Sequence, residues 1–195
     1  MYIFNQTQHL FDYYCFNNNL DNSTITNIFN LISDFPFERG NTESDKNKLT
    51  RYSQIKWIDY TEETVFLYNL LCTIINKANQ DHYNFNIVNS EDLIQYTEYY
   101  SYENGKYGWH MDSHGHTKPP YRKLSLTIQL SDPNEYEGGD LEIWEPHPVN
   151  SKIYKVPKEK GKIIVFPSHV WHQVTPVTKG VRKSLVWWVG GSQWK

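Results

Sequence analysis

The sequence predicts a mainly β protein of the sandwich, jelly-roll or barrel kind, with helices packed against its outside. Three observations carry that prediction. The pattern changes character near residue 80, from helical spacing before it to short strands after it. Residues 123–130 (KLSLTIQL) alternate strictly, with Leu124, Leu126, Ile128 and Leu130 on one face and Ser125, Thr127 and Gln129 on the other. Further short apolar runs then recur at close intervals, separated by turn residues, as sheet-on-sheet folds require.

Taken in chain order, residues 23–35 place Ile25, Ile28, Phe29, Leu31 and Ile32 at helical spacing, behind a Ser/Thr cap and stopped by Pro36. Residues 51–58 (RYSQIKWI) alternate like a strand. A second helix is expected over 61–79, opened by Thr61-Glu62-Glu63 and carrying Leu67, Leu71, Ile74 and Ala78 on one face. Strands follow at 85–87, 94–100, 123–130, 141–144, 152–156, 162–166, 172–174 and 182–189. The stretches 133–139 (PNEYEGG) and 157–161 (PKEKG) read as turns.

With 195 residues the chain has room for one domain and a substantial core, divided here into a helical flank (1–80) and a β core (81–195). Nineteen Lys and Arg against 22 Asp and Glu leave a formal charge of −3, which argues against a nucleic-acid binder. No apolar run approaches the roughly 20 residues of a membrane span, and the N-terminus lacks the pattern of a secretory leader. Cys15 and Cys72 are too few for a disulfide framework, and Cys72 reads as a small core residue of the second helix. The expected setting is the cytoplasm, with no membrane and no nucleic-acid partner.

The chemistry concentrates around His110-Met111-Asp112. At a strand end, residues two apart project to the same side, so the imidazole and the carboxylate can share a metal. His172 opens a later strand and completes a set of two histidines and one carboxylate, which leaves open coordination positions on a non-haem iron. An HxD triplet by itself is weak evidence, because such triplets arise by chance. Its surroundings strengthen it. Ten positions beyond His172 stands Arg182, with Ser184 on the same side of the strand, a pairing suited to clamping a carboxylate.

Four segments match a known pattern in order and spacing: QYTEY at 95–99, YGWHMD at 107–112, RKLSLTIQLSDPNEYEGGDLEIW at 122–144 and GKIIVFPSHVWHQVTPVTKGVRKSLVWW at 161–188. Over roughly residues 90–190 the chain resembles the prolyl 4-hydroxylase-like branch of the Fe(II)/2-oxoglutarate-dependent dioxygenases, in particular its small bacterial and phage members. The resemblance implies a double-stranded β-helix (a jelly roll) and a bacterial or phage-infected host. It implies Fe(II) on His110, Asp112 and His172, and 2-oxoglutarate as cosubstrate with its distal carboxylate on Arg182. Ascorbate is the reductant such enzymes employ.

A tyrosine of the TEY stretch is expected near the cosubstrate, Tyr99 being favoured over its neighbour Tyr100 because alternation lets one of them point inward. Relatives carry a second tyrosine where this chain has Gln129, so Ser125, Thr127 or Ser184 would share that contact. Trp188 has the parity of Arg182 and is expected at the substrate mouth or in the core. His114 and His116 read as loop residues beside the metal, and His169 as the lesser candidate for the position given to His172. The implied reaction is hydroxylation, since related halogenases lack the carboxylate that Asp112 supplies. A peptide or protein prolyl residue is the implied substrate. A free amino acid, another protein side chain, or a non-catalytic ligand-binding jelly roll are the competing readings.

Overall fold

The computed structural model describes residues 12–40, 50–90, 92–113 and 120–192. Helix α1 (Asn22–Leu31) starts one residue before the expected position because Asp21, not a Ser or Thr, caps it. The Asp21 carboxylate accepts from the Thr24 amide at 2.7 Å and from the Ser23 and Thr24 hydroxyls. Helix α2 (Val65–Ala78) starts four residues late, since Thr61 and Thr64 first close a turn on each other, with the Thr61 amide donating to Thr64 Oγ1 at 2.8 Å. A π turn (Asn79–Tyr83) extends it until Asn84, at φ 53°, reverses the chain.

The buried stripe of α2 is Leu67, Tyr68, Leu71, Ile74, Ile75 and Ala78. Cys72 lies off that stripe and is exposed, which corrects its expected place in the core. Among the described residues, no helix is long and apolar enough to cross a membrane.

Among the described residues, fourteen strands build two antiparallel sheets. In chain order they are β1 (Tyr14–Cys15), β2 (Glu38–Arg39), β3 (Arg51–Tyr52), β4 (Gln54–Ile58), β5 (Ile87–Asn89), β6 (Ile94–Tyr100), β7 (Lys106–His110), β8 (Tyr121–Gln129), β9 (Tyr136–Gly138), β10 (Leu141–Glu145), β11 (Lys152–Lys155), β12 (Ile163–Pro167), β13 (Trp171–Val174) and β14 (Val177–Gly191). The major sheet runs β1-β12-β8-β14-β6-β4-β2, with β5 and β9 also pairing β14, and the minor sheet runs β11-β10-β13-β7-β3. From β6 onward the chain crosses between sheets repeatedly: β6, β8, β12 and β14 are major, while β7, β10, β11 and β13 are minor. That alternation is the winding of a double-stranded β-helix.

Three details depart from expectation. The 51–58 segment is two strands in different sheets, broken at Ser53. The described part of the first 80 residues adds four short strands to the sheets besides supplying the helices. The expected 133–139 turn contains β9, which pairs with the start of β14.

The major sheet has two unlike faces. Leu124, Leu126, Ile128, Leu185 and Trp187 pack under α1 and α2, together with Ile25, Ile28, Leu67 and Leu71. Burying each such aliphatic side chain stabilises the fold by about 1.5–3 kcal/mol. The opposite face looks into the space between the sheets, and each of its cross-strand pairs brings at least one polar side chain: Ser184 opposite Gln129, Val186 opposite Thr127, Trp188 opposite Ser125. Ser125, Thr127, Gln129, Arg182 and Ser184 are all buried there, beside a smaller apolar cluster of Tyr99, Leu141, Ile143, Phe166 and Val174.

Candidate metal centre and anion pocket

The metal-ligand candidates are brought together by one irregularity. In the pairing of β13 with β7, His172 faces His110 but Val174 faces Tyr107, so three residues of β7 span two of β13. This bulge breaks the alternation and lets both Tyr107 and His110 face inward, their rings stacked at 3.5 Å and 13°, while Trp109 stays exposed. Asp112 follows two residues after His110. His110 Nε2 lies 3.5 Å from Asp112 Oδ1, and His172 Nε2 lies 3.4 Å from Asp112 Oδ2. The three ligand atoms fall within 4.8 Å of one another, and among the described residues they form the one such cluster.

The far side of each imidazole settles which nitrogen is free. His110 Nδ1 sits 2.8 Å from the Gly108 carbonyl oxygen, and His172 Nδ1 sits 2.9 Å from that of Val170. A carbonyl can accept but not donate, so each Nδ1 carries a proton and each Nε2 is the ring atom turned toward Asp112. Two imidazoles anchored through Nδ1, converging with a carboxylate, suit a divalent metal and leave part of its coordination shell open.

The electrostatics favour an ionised Asp112 and an uncharged His172. Burial opposes the charge of Asp112, but the two histidines and the Ser125 hydroxyl outweigh it and hold the carboxyl well below the usual range. For His172, burial is the main influence and His110 adds to it, pushing its pKa down to about 4 against the pull of Asp112. Asp112 is oriented in turn by Ser125, whose hydroxyl donates to Oδ2 at 2.7 Å and sits 2.9 Å from Ser168 Oγ. Because the Ser125 proton is committed to Asp112, Ser168 is the donor of that second bond. Ser125, one of the three hydroxyls expected near the cosubstrate, steadies the carboxylate.

Arg182 shows an unusual imbalance. It is fully buried, yet its hydrogen-bond partners are neutral: Nη1 donates to Ser184 Oγ at 3.2 Å and Nη2 to Gln129 Oε1 at 2.9 Å. No carboxylate among the described residues pairs with it, and its buried Nε has no partner. Tyr99, opposite Arg182 in the β6–β14 register, places its ring 5.4 Å from the guanidinium. Tyr100 faces the other way, and its hydroxyl donates to Glu98. Gln129 therefore occupies the site where a second tyrosine was missed, and it does so as an acceptor for Arg182.

Tyr136 completes this pocket. Burial pushes its phenol up, and the adjoining guanidinium, in hydrogen-bonding range, pulls it partly back. Gly139 adopts φ 59°, and a Cβ there would stand 3.0 Å from Arg182 Cδ and 3.3 Å from the Tyr136 ring, so the bare glycine is what lets the two side chains close together. Sequence reasoning overlooked Tyr136 because it lies in a turn motif.

Trp188 is buried with its Nε1–H unpartnered, and the Arg122 guanidinium lies 4.1 Å from its ring centroid. Arg122, also overlooked, pairs with Asp92 and reaches the Asp112 carbonyl oxygen at 3.4 Å. His169 is not one of the three clustered residues. His114 and His116 lie outside the described residues.

Comparison with known proteins places this arrangement. Residues 94–190, about half of the chain and all three clustered residues, match the 2OG-Fe(II) oxygenase superfamily. A PKHD-type hydroxylase of Xylella fastidiosa is 38% identical over 96 residues, which are 45% of this chain and 40% of that protein. The match thus spans well under two thirds of the relative's length. In fold, the chain is similar to a Pseudomonas putida prolyl-4-hydroxylase (TM-score 0.68, 19% identity, 93% of each chain covered). It is similar also to a prolyl hydroxylase from Trichoplax adhaerens solved with a hypoxia inducible factor peptide fragment (TM-score 0.72, 19% identity, 91% of this chain and 83% of that one). With its jelly-roll core and its His–Asp–His cluster, the chain belongs to the 2OG-Fe(II) oxygenase superfamily.

Proposed function

We propose that the chain is an Fe(II)- and 2-oxoglutarate-dependent hydroxylase acting on a prolyl residue of a peptide or protein. One observation carries the oxygenase reading: a buried guanidinium with no carboxylate partner among the described residues shares the space between the sheets with two histidine Nε2 atoms and a carboxylate. Fe(II), when bound with 2-oxoglutarate and O₂, supplies the oxidising power that hydroxylates an unactivated C–H bond as 2-oxoglutarate becomes succinate and CO₂.

The residues of this chain position and shield those reagents. His110, Asp112 and His172 would hold the metal on one side, with Ser125 fixing the carboxylate rotamer. Arg182 would bind the distal carboxylate of 2-oxoglutarate through Nε, with Tyr99 and Tyr136 flanking it and Gln129 and Ser184 holding its plane. The apolar walls from Ile143, Phe166 and Val174 keep bulk water from the pocket. Trp188, with its free Nε1–H, and Arg122 would line the place of the substrate that is oxidised. The prolyl assignment draws its support from the names of the similar proteins, the PKHD-type hydroxylase and the peptide-bound prolyl hydroxylase.

The test is an anaerobic titration. Fe(II) followed by 2-oxoglutarate is expected to produce the visible charge-transfer band of the chelate, abolished in His172→Ala. Absence of the band from the unaltered protein would overturn the oxygenase reading. Succinate release stimulated by proline-containing peptides, with mass spectrometry locating the added oxygen, tests the substrate separately.

A further inference from the structure

A second buried guanidinium stands between the sheets, and the chemistry above leaves it unused. Arg51, on β3 of the minor sheet, is more than nine-tenths buried. It reaches across to the major sheet, where Nη2 donates to Gln95 Oε1 at 2.7 Å, and its Nε donates to Ser53 Oγ at 2.9 Å. Gln95 is itself steadied by the Thr97 hydroxyl at 3.1 Å. All of these partners are neutral. Among the described residues no carboxylate pairs with Arg51, and Nη1 has no hydrogen bond.

The guanidinium lies one ring away from the candidate metal centre. Its carbon lies 4.7 Å from the centroid of the Tyr107 ring, and that ring stacks on His110. One aromatic ring therefore separates Arg51 from a metal-ligand candidate. The chain also makes room for this placement. A Cβ at Gly40 would fall 2.3 Å from Ser53 Oγ and 2.8 Å from Arg51 Nε, so this glycine is packed bare against the charged group.

A buried charge without a counter-charge is costly, and it persists where a ligand supplies the missing partner. The charges of the proposed site already balance without Arg51. A divalent metal and Arg182 offset Asp112 and the two carboxylates of 2-oxoglutarate, and Arg122 is matched by Asp92. Arg51 is left over.

Resting on the hydroxylase reading, we propose that Arg51 anchors a carboxylate of the substrate that is oxidised, so that this substrate carries an acidic group close to the reacting carbon. A free amino acid, a C-terminal proline and a prolyl residue beside an aspartate share that chemistry. Arg51 is held by Gln95 and Ser53 with Nη1 left to bind, and Tyr107 forms the wall between the anchor and the metal.

The experiment uses matched probes that differ in one charge: L-proline against L-prolinamide, and acetyl-Ala-Pro-Asp-amide against acetyl-Ala-Pro-Asn-amide. Each is titrated anaerobically into the protein loaded with Fe(II) and 2-oxoglutarate, and binding is read from the shift of the chelate band and by calorimetry. In the unaltered protein the carboxylate member of at least one pair is expected to bind about tenfold or more tightly than its amide, the difference a charge-assisted bond makes. Arg51→Gln is expected to erase that preference while titrating 2-oxoglutarate as before. Equal binding of both members, or binding of neither, overturns the proposal even with the band intact. A tenfold weaker 2-oxoglutarate titration in Arg51→Gln overturns it too, because Arg51 would then serve the cosubstrate or the fold. Failure of the band in the unaltered protein is a different result and strikes the hydroxylase reading itself. The wild-type comparison needs no variant, so it decides even where Arg51→Gln does not fold.

Discussion

Replacing Arg182 by glutamine removes the charge from a pocket whose other groups are neutral. Folding has already stripped water from this guanidinium, so an incoming carboxylate meets a cation whose desolvation cost is behind it. At a separation of about 4 Å and an effective dielectric near 20, the attraction is about 4 kcal/mol. Desolvating the ligand carboxylate takes back part of this and leaves about 2–3 kcal/mol, or about 30- to 160-fold in affinity.

The assay is an anaerobic titration of the Fe(II)-loaded protein with 2-oxoglutarate, followed at the chelate band. The control is 2-oxobutyrate, which chelates through the same two oxygens but has no distal carboxylate. Arg182→Gln is expected to weaken 2-oxoglutarate by the factor above and to leave 2-oxobutyrate within about threefold, a cycle that isolates the charge pair from general damage. Equal losses for both ligands, or no loss for 2-oxoglutarate, would refute the assignment of Arg182.

Two further outcomes follow from the same geometry. Ser125→Ala removes the hydroxyl that holds Asp112 Oδ2, and metal affinity is expected to fall by about 10- to 100-fold; an unchanged dissociation constant for Fe(II) or Co(II) would show that Asp112 needs no such support. The metal-free protein is expected to lose stability as pH falls from 6.5 to about 4, because His172 takes up a proton in the unfolded chain before it does so in the folded one. The full loss is about 3 kcal/mol. The carboxyl of Asp112, held low when folded, contributes above its unfolded value near 3.8, and that contribution disappears only as pH falls further. Urea midpoints measured from pH 4 to 7 check this, and a flat profile would mean that His172 is not neutral in the fold.

What the sequence could reveal depended on the range of the interaction. The alternation of 123–130 stated β8 and both of its faces correctly, since a period of two needs no knowledge of partners. Spacing to Arg182 and the parity of Tyr99 were likewise local, and the structure places both residues in one pocket. The β7 bulge was not legible, because an extra residue is defined only against the strand it pairs with, here β13. Nor was the split of 51–58 between the sheets, as alternation fixes a face but not which sheet owns it. Arg51 and Arg122 escaped because charged residues in a sequence read as solvated, and Tyr136 because its strand forms only by pairing with β14. Cys72 was misplaced by assuming that every apolar position of α2 joins the buried stripe.

The two faces of the major sheet explain why such a site can be held rigidly. Strand β8 sends Leu124, Leu126 and Ile128, and β14 sends Leu185, Trp187 and Val189, outward under the helices, while Ser125, Gln129, Arg182 and Ser184 point inward. The outward set supplies the hydrophobic stabilisation, which allows the inward set to include groups that the folded chain alone does not fully satisfy, Arg182 Nε and Trp188 Nε1 among them. Displacing β8 along β14 by one residue would exchange the two sets and expose the core, so the register that protects the leucines also fixes Ser125, Gln129 and Arg182. The position of each inward residue is therefore enforced by an apolar neighbour one step along the same strand. Mutations in the outward face are expected to act on the site through this coupling only when they shift the register, and otherwise to lower stability alone.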